Sequence, residues 1–106
     1  MTNEVVIVVV LTIKSGEVDR AEAALREMIG PTHREDGCLR YALHREVGNP
    51  NRLVIIERWS SYDALSDHYR QPHMKGMAEL SHLLEQPIES YALQPVPTGD
   101  PAKGWL

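Results

Sequence analysis

No apolar run in the chain is long enough to cross a bilayer. The longest, Val5 to Leu11, is seven residues, against roughly 20 for a spanning helix. Met1-Thr2-Asn3-Glu4 ahead of it has neither a basic region nor a small-residue cleavage site, so a signal peptide is not expected. Cysteine is nearly absent. Cys38 stands alone, which excludes an internal disulfide and a zinc ribbon and makes a reducing cytoplasm the expected compartment. A basic excess is missing too: 11 Lys and Arg face 15 Asp and Glu, for a net charge of −4. With no Lys/Arg cluster either, the electrostatic footprint of a nucleic-acid binder is excluded. At 106 residues there is room for one domain, and none for a Rossmann domain with a substrate domain, a TIM barrel or a kinase. Repeats and low-complexity segments are lacking. What remains is ordinary for a globular chain, 42% hydrophobic and 25% charged, with enough length for a modest core.

Val5 to Leu11 is continuous and β-branched, the pattern of a strand covered on both faces. Ser15-Gly16 breaks it. Val18, Ala21, Leu25, Met28 and Ile29 then recur at helical spacing, with Glu17 and Asp19 suited to the first turn. Gly30-Pro31 is expected to kink or end that helix, with one further turn over Thr32 to Glu35 left open. Asp36-Gly37 is a turn, and Arg34-Glu35-Asp36 reads as a solvated charge run. Cys38 to Glu46 is the second strand, Gly48-Asn49-Pro50-Asn51 a hairpin loop, and Leu53 to Trp59 the third strand. Ser60, three before Asp63, predicts a capping box for a helix presenting Tyr62, Leu65 and Tyr69 on one face. Gln71-Pro72 interrupts it, and Pro72 opens a new helix carrying Met77, Leu80 and Leu84. Ile88 to Gln94 alternates as a fourth strand. Residues 1–95 are expected to form the domain and 96–106 an irregular tail.

The order β-α-β-β-α-β is that of a ferredoxin-like α+β fold with an antiparallel sheet. A single helical layer covers one face of such a sheet. Strands one and three are apolar on both, so a homodimer packed sheet to sheet is expected. The tail, anchored by Trp105, is expected to cross the partner.

The segment Pro31 to Tyr41 contains Glu35-Asp36-Gly37-Cys38-Leu39-Arg40-Tyr41. With Glu57-Arg58-Trp59, Ala64-Leu65 followed by His68, and Pro72-His73, it resembles the antibiotic biosynthesis monooxygenase superfamily. Members commonly show E-x-G-C-x-x-Y entering strand two and E-x-W ending strand three. A histidine-bearing helix and a second S/P-x-H follow. The resemblance covers roughly residues 4 to 94. It implies a dimeric α+β barrel. It also implies oxidation of a small electron-rich aromatic substrate, quinol-like or polycyclic, by O₂ with no metal, flavin or other cofactor.

Such chemistry needs a base in a dry apolar pocket, because the substrate must lose a proton before it can donate electrons to O₂. Histidine suits the task. His68, beside the apolar face of its helix, is the first candidate for a catalytic role, and His73 after Pro72 the second. His44 would reach a ligand if its strand face were the barrel interior. Glu57 and Trp59 share a strand face. Trp59 is either a substrate wall or core; Glu57 is either a hydrogen-bonded structural carboxylate or a base raised by burial. Tyr41 and Tyr69 could donate to a substrate oxygen. His33 and His82 are set aside, and Cys38 reads as a small hydrophobe rather than a redox thiol.

A metal site is not expected, since His68 and His73 are five apart with Pro72 between them and do not share a helix face. Haem-degrading members of the superfamily use an Asn, a Trp and a His where this chain has Val9, His68 and Ala78, which argues against haem cleavage. The alternative function is a non-oxidative small-molecule binder or isomerase on the same barrel.

Overall fold

The computed structural model describes residues 3–106. Its elements are β1 (Val5–Thr12), α1 (Val18–His33), β2 (Cys38–Glu46), β3 (Asn49–Trp59), α2 (Tyr62–Tyr69), a 3-10 turn at Pro72–Lys75, α3 (Gly76–Ser81) and β4 (Glu89–Leu93). The four strands form one sheet in the order β2-β3-β1-β4, every neighbour antiparallel. This is the ferredoxin-like α+β arrangement expected from the element order.

Alternation along β1 and β3 sorts the sheet into two faces. Val5, Ile7, Val9 and Leu11 oppose Trp59, Glu57, Ile55 and Leu53 on one face, and all eight are buried against the helices. On the other face lie Val8, Val10, Val54 and Ile56, half-buried, with Tyr91 and Leu93 of β4 exposed. A helical layer on one side thus leaves an apolar surface on the other.

Several local readings shift. Helix α1 does not end at Gly30-Pro31 but runs on to His33. Thr32 is buried and its hydroxyl donates to the Met28 carbonyl at 2.8 Å, tying the last turn back onto the core. The hairpin between β2 and β3 turns at Val47-Gly48, where Gly48 takes φ +84°. Asn49 is therefore already paired with Glu46, and Pro50 falls in the irregular stretch behind it. The cap of α2 is Ser61, not Ser60: the Ser61 hydroxyl accepts from the Ala64 amide at 3.1 Å. Ser60 is unavailable because its own amide still donates to the Gly37 carbonyl at 2.9 Å. The buried face of α2 is accordingly Leu65 and His68, while Tyr62 and Tyr69 are exposed. Helix α3 stops at Ser81, and Leu83 rather than Leu84 completes the burial of that segment.

The tail returns over the open face of its own sheet. The Arg58 guanidinium lies 5.4 Å from the Trp105 ring centroid and donates to the Leu106 carbonyl at 2.9 Å, and it also grips Glu4 through two nitrogens. Within the single chain Trp105 thus packs on Arg58, and the two line a small cleft with Val6 at that end of the sheet.

Candidate functional site

The site begins at the end of β3. Glu57 and Trp59 share a face, as period-two alternation requires, and the Trp59 indole N–H donates to Glu57 Oε1 at 2.8 Å. Tyr41 pairs with Glu57 across β2 and β3 and meets Trp59 edge-on, with ring centroids 6.5 Å apart. Over this floor α2 lays His68, whose ring lies 4.5 Å from Trp59 and 5.6 Å from Tyr41. His68 is 1% exposed.

Glu35 closes the arrangement. It sits in the turn between α1 and β2, where Cys38 N donates back to its carbonyl at 3.0 Å. Close packing holds that turn: a Cβ on Gly37 would fall 2.3 Å from the Ala64 Cβ on α2, so glycine is what lets the turn approach the helix. Glu35 Oε2 is 2.7 Å from His68 Nδ1 and 2.8 Å from His73 Nε2. An ionised carboxylate only accepts, so both ring nitrogens carry their hydrogens toward it. Neutral His68 then keeps Nε2 as its basic nitrogen. His73 reaches the same oxygen because the chain turns at Arg70 and Gln71, and Pro72 then starts the 3-10 turn that presents it.

Burial sets the electrostatics. It pulls the His68 pKa below the ordinary histidine value, against the hydrogen bond and charge of Glu35, which raise it. It pushes Glu57 up to about 7, opposed by the Trp59 hydrogen bond and helped by the charge of Glu35. The phenol of Tyr41 is raised, first by burial and then by Glu57. Cys38 is raised to about 11 by burial and by both carboxylates, which makes it a poor thiolate.

A cleft of about 460 Å³ opens from solvent onto Glu35 and His73, between the α1–β2 turn and the end of α2. Tyr69 stands beside His68, with ring centroids 5.6 Å apart, and is half exposed.

The structure thus brings together His68, His73, Glu57, Trp59 and Tyr41, with Tyr69 at the margin. It does not bring His44: that residue opposes Val54 on the open face of the sheet, exposed, with the sheet between it and the others. The register of β2 decides this. Two further readings are corrected. Glu35 is no solvated residue: its side chain is 12% exposed and holds both histidines. And the spacing argument that kept His68 and His73 apart fails, because they sit on different elements that converge. Glu35 was within sight as the first letter of the E-x-G-C-x-x-Y segment; its partners, 33 and 38 residues away, were not.

Comparison with known proteins gives a consistent result. The family model described as antibiotic biosynthesis monooxygenase matches residues 4–80. "Putative monooxygenase Rv0793" of Mycobacterium tuberculosis is 33% identical over 97 residues, covering 91% of this chain and 95% of that protein. Its solved structure superposes with a TM-score of 0.84, at 30% identity over 92% of this chain and 99% of that one. A conserved protein of Methanosarcina mazei, 24% identical over 88% of this chain and 93% of its own, shares the fold with a TM-score of 0.85.

Proposed function

This chain belongs to the antibiotic biosynthesis monooxygenase family, and on that premise we propose that it oxidises an electron-rich phenol, quinol or anthrone-type aromatic with O₂, using His68 as the base. One observation carries the reading: a histidine 1% exposed, stacked on Trp59 and held through Nδ1 by Glu35. Burial keeps the ring neutral and so able to accept a proton. The Glu35 carboxylate stabilises the imidazolium once it forms, and the aromatic floor excludes water.

The chemistry balances without a further reductant. A phenol loses its O–H proton to His68 Nε2 and becomes the electron donor. One oxygen atom ends as a new ring carbonyl and the other as water, and the substrate supplies all four electrons. Trp59 and Tyr41, buried against His68, pack behind the base and fix its ring, and the half-exposed Tyr69 beside it would offer an O–H to a substrate oxygen. His73, 15% exposed on the cleft side of Glu35, links the buried base to solvent.

We also place the working unit as a homodimer. Val8, Val10, Val54, Ile56, Tyr91 and Leu93 form an apolar face that a second sheet of the same chain would cover.

Oxygen uptake by metal-stripped protein, measured against hydroquinones and anthrones, tests the function. Uptake that needs protein and falls at least about 100-fold in His68→Ala, the scale of a lost general base, is the expected result. Uptake no greater than autoxidation would leave a non-oxidative binder or isomerase as the reading to pursue.

A further inference from the structure

Glu35, His68 and His73 hold more than a shared proton network. Each offers one ligand atom, and the three atoms lie within 4.8 Å of one another. They are two imidazoles and a carboxylate, the donor set that takes divalent first-row ions with one position left for water. We propose that this triad is a binding site for a divalent cation of the zinc class, three protein ligands and a water.

The geometry can accept it. Around a tetrahedral ion with ligands at ~2.1 Å, neighbouring ligand atoms stand ~3.4 Å apart. The present nitrogen–oxygen separations are 2.7 and 2.8 Å, so both must lengthen, by roughly 0.7 and 0.6 Å, to reach that spacing. His68 is held against Trp59. The adjustment falls to Glu35, in a turn, and to His73, in a four-residue 3-10 segment. A route in exists as well: the cleft that reaches Glu35 and His73 is lined by Asp36 and Asp67, with Arg34 as the opposing charge.

Binding has a chemical consequence. An ion takes the lone pairs of His68 Nδ1 and His73 Nε2, so their hydrogens move to the other ring nitrogens. His68 Nε2 then carries a hydrogen and accepts no proton. Ion and base are therefore mutually exclusive, and zinc switches the site off. Only this consequence rests on the proposed oxidation.

The test reads binding directly. Trp105→Phe leaves Trp59, stacked on His68, as the single indole. Titrating this metal-stripped full-length variant with Co²⁺ should quench its fluorescence and bring up intense visible d–d bands at one ion per chain, and Zn²⁺ should displace the Co²⁺. Glu35→Gln and His73→Gln, both near-isosteric and checked for folding by circular dichroism, should each weaken binding by more than about tenfold. His44→Gln, on the other face of the sheet, should not. No binding at micromolar free ion, or binding indifferent to Glu35→Gln and His73→Gln, overturns the proposal. Neither outcome depends on whether the protein oxidises anything.

Discussion

Glu57 is a buried carboxylate whose oxygen takes the indole N–H of Trp59, and its titration links it to stability. Burial raises its pKa from the ordinary 4.5 to about 7, so over that interval the folded chain holds a proton that the unfolded chain has released. Stability therefore falls as pH rises through the interval, and the contribution is fully present only below it. The scale is about 3 kcal/mol across the window, at 1.36 kcal/mol per unit. Glu57→Gln keeps the acceptor for Trp59 and removes the charge. Thermal unfolding between pH 4.5 and about 7 should show a shallower decline in that variant than in the parent protein. Equal slopes would mean that Glu57 ionises as freely folded as unfolded. At the same scale, period-two alternation alone put Glu57 and Trp59 on one strand face. Which residue supports His68 was beyond any local pattern, because Glu35 meets it across 33 positions of chain.

Elements place these residues, and their boundaries follow from competition between local signals. Ser60 and Ser61 both look like caps in the sequence. Ser60 is tied to the α1–β2 turn by the hydrogen bond its N–H donates to the Gly37 carbonyl, which leaves Ser61 in extended backbone with its hydroxyl accepting from the Ala64 amide. Ser61→Ala should therefore cost about 1 kcal/mol in urea unfolding and Ser60→Ala only a few tenths; similar losses for the two would put the cap elsewhere. The cap matters to the site because α2 is only eight residues long and presents both Leu65 and His68. Helical spacing sets Tyr62, Leu65 and Tyr69 on one face, yet of these only Leu65 is buried. Burial instead follows the i, i+3 pair that faces β3. Pro31 inside α1 is a similar case. Its local preference to end the helix yields to the buried Thr32 one residue on.

The whole molecule has one covered sheet face and one open. The open face has half-buried valines and Ile56 at its centre, and it is the surface that the proposed second copy would cover. Ile56 is only half-buried in the single chain, so Ile56→Lys should leave the fold intact by circular dichroism while shifting sedimentation from dimer to monomer. A variant that still sediments as the parent would show that this face is not the interface. The tail belongs to the same surface, since Trp105 and Leu106 close on Arg58 beside Val6.

Local chemistry determined a large share of this protein. Continuous β-branched runs made strands one and three apolar on both faces, and helical spacing made the core stripe of α1. The order of these elements dictated a split antiparallel sheet, because that is how such units bury one layer of helices. Residues two apart on a strand, such as Glu57 and Trp59, were paired by the same periodicity. Tertiary structure alone decided the centre of the site. Glu35, His68 and His73 come from a turn, a helix and a 3-10 segment, and they meet only because Gly37 lets the turn close against α2 and the chain bends after Tyr69. It also decided that His44 lies across the sheet from them, since a shift of one residue in strand register exchanges the two faces. Convergence of this kind depends on packing between elements distant in the chain, and no spacing within the sequence encodes it.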